Sequence, residues 1–238
     1  MVFAAVFAGG IGSRMGNSET PKQYLELGSK PVIIHTIEKF FINDMIDEII
    51  VLCPKTWVAH TRDLIKKYLP EGKKITVIAG GETRNGTLEK AIEFIESNYE
   101  TDEDTVLVTH DAVRPFLTHR IIAENVEAAV KYGACDTVIP ATDTIVESAD
   151  GKMITSIPER KRMFQGQTPQ SFRLKELENV LASLTEDEKS ILTDACKIFS
   201  IKNKDVYMVE GEVFNIKITY PYDLKVAHTL LKGKDCDD

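Results

Sequence analysis

Short runs of consecutive apolar residues alternate along this chain with longer segments whose apolar positions recur every three or four residues. Residues 2–8, 48–53, 75–79 and 105–109 are of the first kind, and 31–41, 56–68, 84–98 and 120–132 are of the second. Within 84–98, Leu88, Ala91, Ile92 and Ile95 fall on one helical face. Strands that are apolar on both sides, separated by helices of about 10–15 residues, predict parallel βαβ units with both sheet faces covered. The expected class is therefore α/β. The alternation breaks after a strand at 136–140, where 144–147 and 153–157 flank Asp150-Gly151. An Asp-Gly turn between two such runs predicts a hairpin, so the region at about 139–163 reads as an arm inserted into the sheet order. Helices at 174–184 and 194–201, strands at 206–210 and 214–218, and a helix after Pro221 complete the expectation. With no Ser/Gly/Pro-rich linker and no repeat, the chain reads as a single domain carrying one arm.

Composition narrows the partners. The 238 residues are 43% hydrophobic and 28% charged, ordinary for a globular protein, and the formal net charge is −8. That balance argues against a nucleic-acid partner, so any bound anion must be held by local cations. Cys53, Cys135, Cys196 and Cys236 are scattered without a C-x-x-C pair, which fits reduced thiols in a cytoplasmic protein. No apolar run approaches the roughly 20 residues that span a bilayer, and the expectation is no membrane partner.

In an open parallel sheet, ligands bind outside the carboxyl ends of the strands, and unusual residues cluster there. After the first strand comes AGGIGSRMG (8–16), with Arg14 inside it and Lys22 beyond. It lacks the G-x-x-x-x-G-K-[ST] of a Walker A loop, and Gly10, Gly12 and Gly16 are spaced one residue too far for G-x-G-x-x-G. What remains is a phosphate loop that adds side-chain cations to its backbone N–H donors. The bland alternative is a flexible connection with two solvated cations. GGETRNGT (80–87) offers another glycine pair at a strand end, suited to a flat base or simply to a helix start capped by Thr83. THDAVRPF (109–116) places Asp111 where strand-end carboxylates commonly hold a divalent metal near phosphates; a structural Asp111–Arg114 pair is the plainer reading. The D-x-D at 102–104 precedes its strand, on the wrong side of the sheet, and reads as an acidic surface turn. His35, His60, His119 and His228 form no ligand set, Cys196 reads as a buried helix residue, and no G-x-S-x-G elbow supports a serine hydrolase.

AGGIGSRMG…PKQ (8–23), GGETRNGT, THDAVRPF, QTPQSF (167–172), TDA (193–195) and NIKIT (215–219) occur in this order over residues 2 to about 231. In this the chain resembles the nucleoside-diphosphate-sugar pyrophosphorylase-like cytidylyltransferases that make CDP-methylerythritol and CDP-polyols. The resemblance implies a Rossmann-like, mostly parallel sheet with helices on both faces and a projecting β-arm. It implies transfer of CMP from CTP to a polyol phosphate, with Mg²⁺ as cofactor. For CTP and its phosphates it implies Ala8, Gly9, Gly10, Gly12, Gly80, Gly81, Arg84 and Thr87, with Arg14, Lys22 and Lys217 as the catalytic cations. For the acceptor it implies Asp111, Arg114, Arg160, Thr168 and Thr193, with Asp111 also near the metal. In the family Arg160 reaches across from a partner's arm, which implies a homodimer; the PERKRM run (158–163) reads equally as solvated charge. Two acceptors share these motifs: methylerythritol 4-phosphate, and ribitol 5-phosphate, which supplies CDP-ribitol for teichoic acid. Where the isoprenoid enzymes usually carry D-T-x-K, T-D-[DE]-A and P-E-D-L, this chain has Asp143-Thr144-Ile145-Val146, Thr193-Asp194-Ala195-Cys196 and Pro221-Tyr222-Asp223-Leu224. These departures favour ribitol 5-phosphate.

Overall fold

The computed structural model describes residues 1–10, 20–190 and 194–233, without the side chains of Glu186 and Ser190. Its centre is a seven-stranded sheet of β1 (Val2–Phe7), β4 (Glu48–Cys53), β5 (Lys74–Ala79), β6 (Val106–Asp111), β7 (Ala134–Pro140), β8 (Phe164–Arg173) and β9 (Tyr207–Glu210), in the order β5-β4-β1-β6-β8-β7-β9. Every pairing is parallel except the two made by β8. A small antiparallel pair, β2 (Glu26–Leu27) and β3 (Lys30–Pro31), lies apart.

The period-two geometry of a strand splits β1 cleanly. Ala4 and Val6 face a core made with Ile33, Ile37 and Phe40 of α1 (Val32–Phe41), with α2 (Val58–Tyr68) and with α4 (His119–Tyr132). Phe3, Ala5 and Phe7 face the other core, made with α3 (Arg84–Asn98), α5 (Leu174–Ala182) and α7 (Ala195–Ile201). The remaining helices are α6 (Glu186–Ser190) and α8 (Pro221–Gly233); α8 closes a third cluster over Leu27 and Val32. Helix starts follow local chemistry: the hydroxyls of Thr83 and Thr118 accept from Gly86 and Ile121 N–H, and the Asp194 carboxylate accepts from Lys197 N–H. Cys53, Cys135 and Cys196 are buried free thiols, and no helix among the described residues is long and apolar enough to cross a membrane.

Two expectations need correction, and one strand was not expected. The hairpin predicted at 144–147 and 153–157 forms only the single bridge Glu147↔Ser156. Its turn is held by Asp150 Oδ1, which accepts from Lys152 and Met153 N–H at 2.8 and 2.9 Å. Both segments stand largely exposed with no element of the chain packed on them, and an isolated two-stranded ladder is marginal in water. Residues 214–218 form a loop, because Asn215 bonds to Arg114 in the loop after β6 and, through its side chain, to Thr168 of β8 instead of entering a ladder. The ten-residue strand β8, central in the sheet, was not foreseen at all. Its Gln-rich, Pro-containing sequence, FQGQTPQSFR, reads against a buried strand. Pro169 is accommodated by an irregularity in the facing strand between Asp136 and Val138, where Thr137 Oγ1 donates to the Pro169 carbonyl at 2.6 Å.

The end of α4 gives a stability test. Gly133 stops the helix at φ +86°, and a Cβ there would lie 2.1 Å from the Glu176 carboxylate. Gly133→Ala is expected to lower stability by about 2 kcal/mol, from backbone strain and the displaced Arg173–Glu176 pair, in urea unfolding.

Candidate active site

Parallel strands deliver their carboxyl ends to one edge, where Phe7 of β1 stands in register with Asp111 of β6. The strand exits are pinned to one another: Ala8 N–H donates to Leu52 O, Gly80 N–H to Cys53 O and Ala112 N–H to Phe7 O. Gln23 Nε2 donates to the Ala8 carbonyl at 2.6 Å, which ties the glycine loop to the 3₁₀ turn Lys22–Tyr24. That turn leaves Lys22 only 9% exposed, on the wall of a cavity of about 280 Å³ shared with Ala8, Gly9 and Gly10. The opposite wall is Gly81 to Arg84 with Thr87. Gly81 has to be glycine, since a Cβ would sit 2.4 Å from the Gly86 carbonyl carbon. Thr87 is the clasp for this turn: its hydroxyl accepts from Gly81 N–H and donates to Thr83 O.

Asp111 is the focus of charge. Arg84 Nη1 donates to its Oδ1 at 2.6 Å, Lys217 Nζ approaches Oδ2 at 2.9 Å, and Arg114 Nε lies 3.6 Å from Oδ2. Burial alone would raise the carboxyl, but Arg84, Lys217 and Arg114 outweigh it and hold Asp111 well below the usual carboxylate range. Arg84 also lies over the Phe7 ring, 5.2 Å from its centroid. The Nε atoms of Arg84 and Arg114 are buried without a hydrogen bond, although Arg114 Nε keeps its long ion-pair contact with Asp111.

A neutral network holds this cluster in place. His110, fully buried, bonds through Nε2 to the Arg114 carbonyl at 3.1 Å and through Nδ1 to Thr168 Oγ1 at 2.9 Å. The carbonyl can only accept, so Nε2 carries the proton and Thr168 donates to Nδ1. Thr168 Oγ1 in turn accepts from Asp111 N–H. Arg114 donates to the Asn215 carbonyl at 2.7 Å, and Asn215 Nδ2 donates to Gln167 Oε1 and Thr168 O. The loop carrying Lys217 is thereby bolted to β8 and to the loop after β6.

A second cavity of about 160 Å³ lies beside the first and includes Arg114, Thr168, Asp136, Gln170 and Asp194. Arg84, Asp111 and Lys217 line both cavities, forming the wall between them. The structure thus brings together Ala8, Gly9, Gly10, Lys22, Gly81, Arg84, Thr87, Asp111, Arg114, Thr168 and Lys217, with Gly80 directly behind Thr87. Arg160 is not brought there within the chain: it is exposed and donates to Thr142 O. Gly12, Arg14 and Thr193 lie outside the described residues. Asp111 does not fit the expected metal ligand as arranged, because both its oxygens are taken by cations. Among the described residues no group of three His, Cys, Asp or Glu could hold a metal ion. The D-x-D is a turn before β6, with Asp102 accepting from Thr105 and Asp104. Sequence reading passed over Gln23, His110, Asn215, Asp136 and Gln170. All but Asp136 lie inside motifs it had quoted, and the signal for Asp136 with Gln170 is a polar pair in neighbouring strands.

Against known proteins, residues 2–233 match the model of the IspD family, 2-C-methyl-D-erythritol 4-phosphate cytidylyltransferase. The 4-diphosphocytidyl-2C-methyl-D-erythritol synthase of Anaerococcus prevotii is 28% identical, over 97% of this chain and 96% of that one, with a TM-score of 0.79. The Francisella tularensis 2-C-methyl-D-erythritol 4-phosphate cytidylyltransferase is 26% identical, over 96% and 98%, with a TM-score of 0.78. The chain belongs to the IspD family and is a CTP-dependent cytidylyltransferase.

The buried imidazole makes a pH prediction. Burial pushes the His110 pKa down to about 4, against the raising effects of the Arg114 carbonyl and Asp111. Between about pH 6.5 and 4 the unfolded chain takes up a proton that the folded state refuses, so His110 costs stability as pH falls through that window. The stability gap between wild type and His110→Gln should narrow by about 2–3 kcal/mol from pH 7 to pH 4.5 in urea titrations. A gap independent of pH would contradict the buried, neutral ring.

Proposed function

We propose that this cytidylyltransferase transfers CMP from CTP to ribitol 5-phosphate, giving CDP-ribitol and pyrophosphate. The observation that carries the choice of acceptor is the second cavity: among its described lining residues none has an apolar side chain. A linear chain bearing a hydroxyl on each carbon matches such a wall, whereas the methyl branch of methylerythritol would be desolvated against polar groups. The sequence departures at 143–146, 193–196 and 221–224 favour the same acceptor. The second reading, methylerythritol 4-phosphate, is favoured by the comparisons, since the matching family model and the named relatives act on that substrate.

In either reading an oxygen of the acceptor phosphate attacks the α-phosphorus of CTP in line, and pyrophosphate departs on the opposite side. A phosphomonoester with a second pKa of about 6 is largely dianionic at pH 7 and needs no general base. The chemical difficulty is bringing two anions together, which makes fixed cations the effective catalysts. In this reading CTP occupies the larger cavity, its base against Gly80, Gly81 and Thr87. Its phosphates lie along Ala8, Gly9 and Gly10 with Lys22, joined by Gly12 and Arg14 from the resemblance. The acceptor phosphate enters the smaller cavity beside Arg114 and Thr168, so the reacting atoms meet at Arg84 and Lys217. The Arg84 Nε, buried without a hydrogen bond, is one donor such phosphates would satisfy. A divalent cation finds no preformed protein cage among the described residues and is best carried by the nucleotide's own phosphates. Arg160 and Thr193 complete the acceptor grip in a homodimer, a state supported by the exposed Val146, Met153, Ile154 and Ile157 on the arm.

The test is pyrophosphate release with CTP, Mg²⁺ and one acceptor at a time. Turnover with ribitol 5-phosphate, at least tenfold above that with methylerythritol 4-phosphate in kcat/KM, is expected. The reverse preference would replace this reading by the second.

A further inference from the structure

The smaller cavity is cationic at one end only. At its other end stands Asp136 of β7, whose backbone lies in register with Gln170 of β8, as Thr109 of β6 does on the far side. Gln170 Nε2 donates to Asp136 Oδ1 at 3.0 Å and lies 3.4 Å from Asp194 Oδ1. Gln170 is 3% exposed, and its Oε1 is buried without a hydrogen-bond partner although the residue lines the cavity. Gly166, opposite Asp136 Oδ2, fills no space there: even a Cβ would stand 3.5 Å away. Nothing described so far uses these groups. They are not needed for CTP, which the proposed function places beyond Asp111, and they carry the wrong charge for a phosphate.

A pocket with guanidinium and ammonium groups at one end, and a carboxylate, an unpaired amide oxygen and a second carboxylate at the other, is complementary to one kind of molecule. That molecule has a phosphate at one terminus and several O–H donors along its chain. We propose that Asp136, held by Gln170 and backed by Asp194, accepts hydrogen bonds from hydroxyls of the acceptor's carbon chain and so selects a polyhydroxylated acceptor. Burial pushes the Asp136 carboxyl up to about 7, opposed by the Gln170 hydrogen bond and reinforced by Asp194. Gln170 and the Thr137 backbone N–H already donate to this carboxyl, and an acceptor hydroxyl would add a donor from the cavity side. Discrimination of this type is strong, because an analogue without the hydroxyl leaves a buried acceptor unpaired. The inference rests on the ribitol 5-phosphate reading.

The experiment compares wild type and Asp136→Asn in kcat/KM for ribitol 5-phosphate and its monodeoxy analogues. CTP affinity by calorimetry serves as the check that the site is folded. Asp136→Asn should lose about 10- to 100-fold with ribitol 5-phosphate, the size expected for a hydrogen bond to a charged group. One monodeoxy analogue should show that same loss with wild type and less than a threefold further loss with the variant, and CTP affinity should stay within twofold. Wild type that turns over ribitol 5-phosphate while Asp136→Asn matches it would overturn this inference alone, as would an equal loss on every acceptor. Wild type that does not turn over ribitol 5-phosphate would overturn the parent reading and this inference with it. A large fall in CTP affinity would also count against it, because Asp136 would then be a support of the whole site. Gln170→Leu, which removes the unpaired oxygen without adding charge, should lose in the same acceptor-dependent manner.

Discussion

A carboxylate carried out of water at the end of a parallel strand has to be answered by charge, and much of this enzyme's site is the form that answer takes. Desolvating an ion costs several kcal/mol after relaxation, more than one exposed ion pair returns. Asp111 meets that cost with three cations drawn from separate parts of the chain: Arg84 opening α3, Arg114 on the loop after β6, and Lys217 on the loop before α8. The local sum is positive even after the carboxylate is counted. The cluster is therefore stable without ligand, yet still attractive to phosphate. It also stands in the wall between two cavities, where the proposed reading brings the two anionic reactants together.

The surroundings serve to keep those cations from wandering. His110 is sealed and neutral, so it contributes geometry without adding a fourth positive charge. Asn215 fixes the backbone two residues before Lys217, and Gln23 fixes the carbonyl from which the glycine loop departs. Groups aimed in advance at the charge they will meet lose nothing to reorganisation when it arrives, which is the main lever available to chemistry without a general base.

Much of the fold was legible because its strands and helices obey one-dimensional rules. All six residues of β4 are buried, and the sequence EIIVLC says so; α3 was read with both ends correct, since Thr83 caps it and its apolar stripe is regular. The strand β8 was not legible, because what makes it a strand is its neighbours. Gln167 bonds to Asn215 and the Glu212 carbonyl and the Gln170 amide nitrogen to Asp136, partners 34 to 48 residues away, and the proline is accommodated by a bulge in β7. The same holds for the site. Glycine loops and strand-end residues show themselves locally, and the resemblance supplied Lys217. But the pairing of Asp111 with Arg84 and Lys217 is a fact of three dimensions, which neither strand-end position nor the resemblance supplied. Asp136 was passed over because a single aspartate in an apolar run looks like a strand's solvent face until the opposite strand proves to be polar.

The claim that Asp111 acts by holding its cations in place is tested most directly by a double-mutant cycle in kcat/KM. The cycle compares wild type, Asp111→Asn, Lys217→Ala and the double variant under identical CTP and acceptor conditions. If the two side chains act as one unit, the double variant should fall well short of the product of the single losses, by a coupling of at least about 1 kcal/mol. Losses that multiply within error would show that carboxylate and ammonium act independently, and would contradict the account.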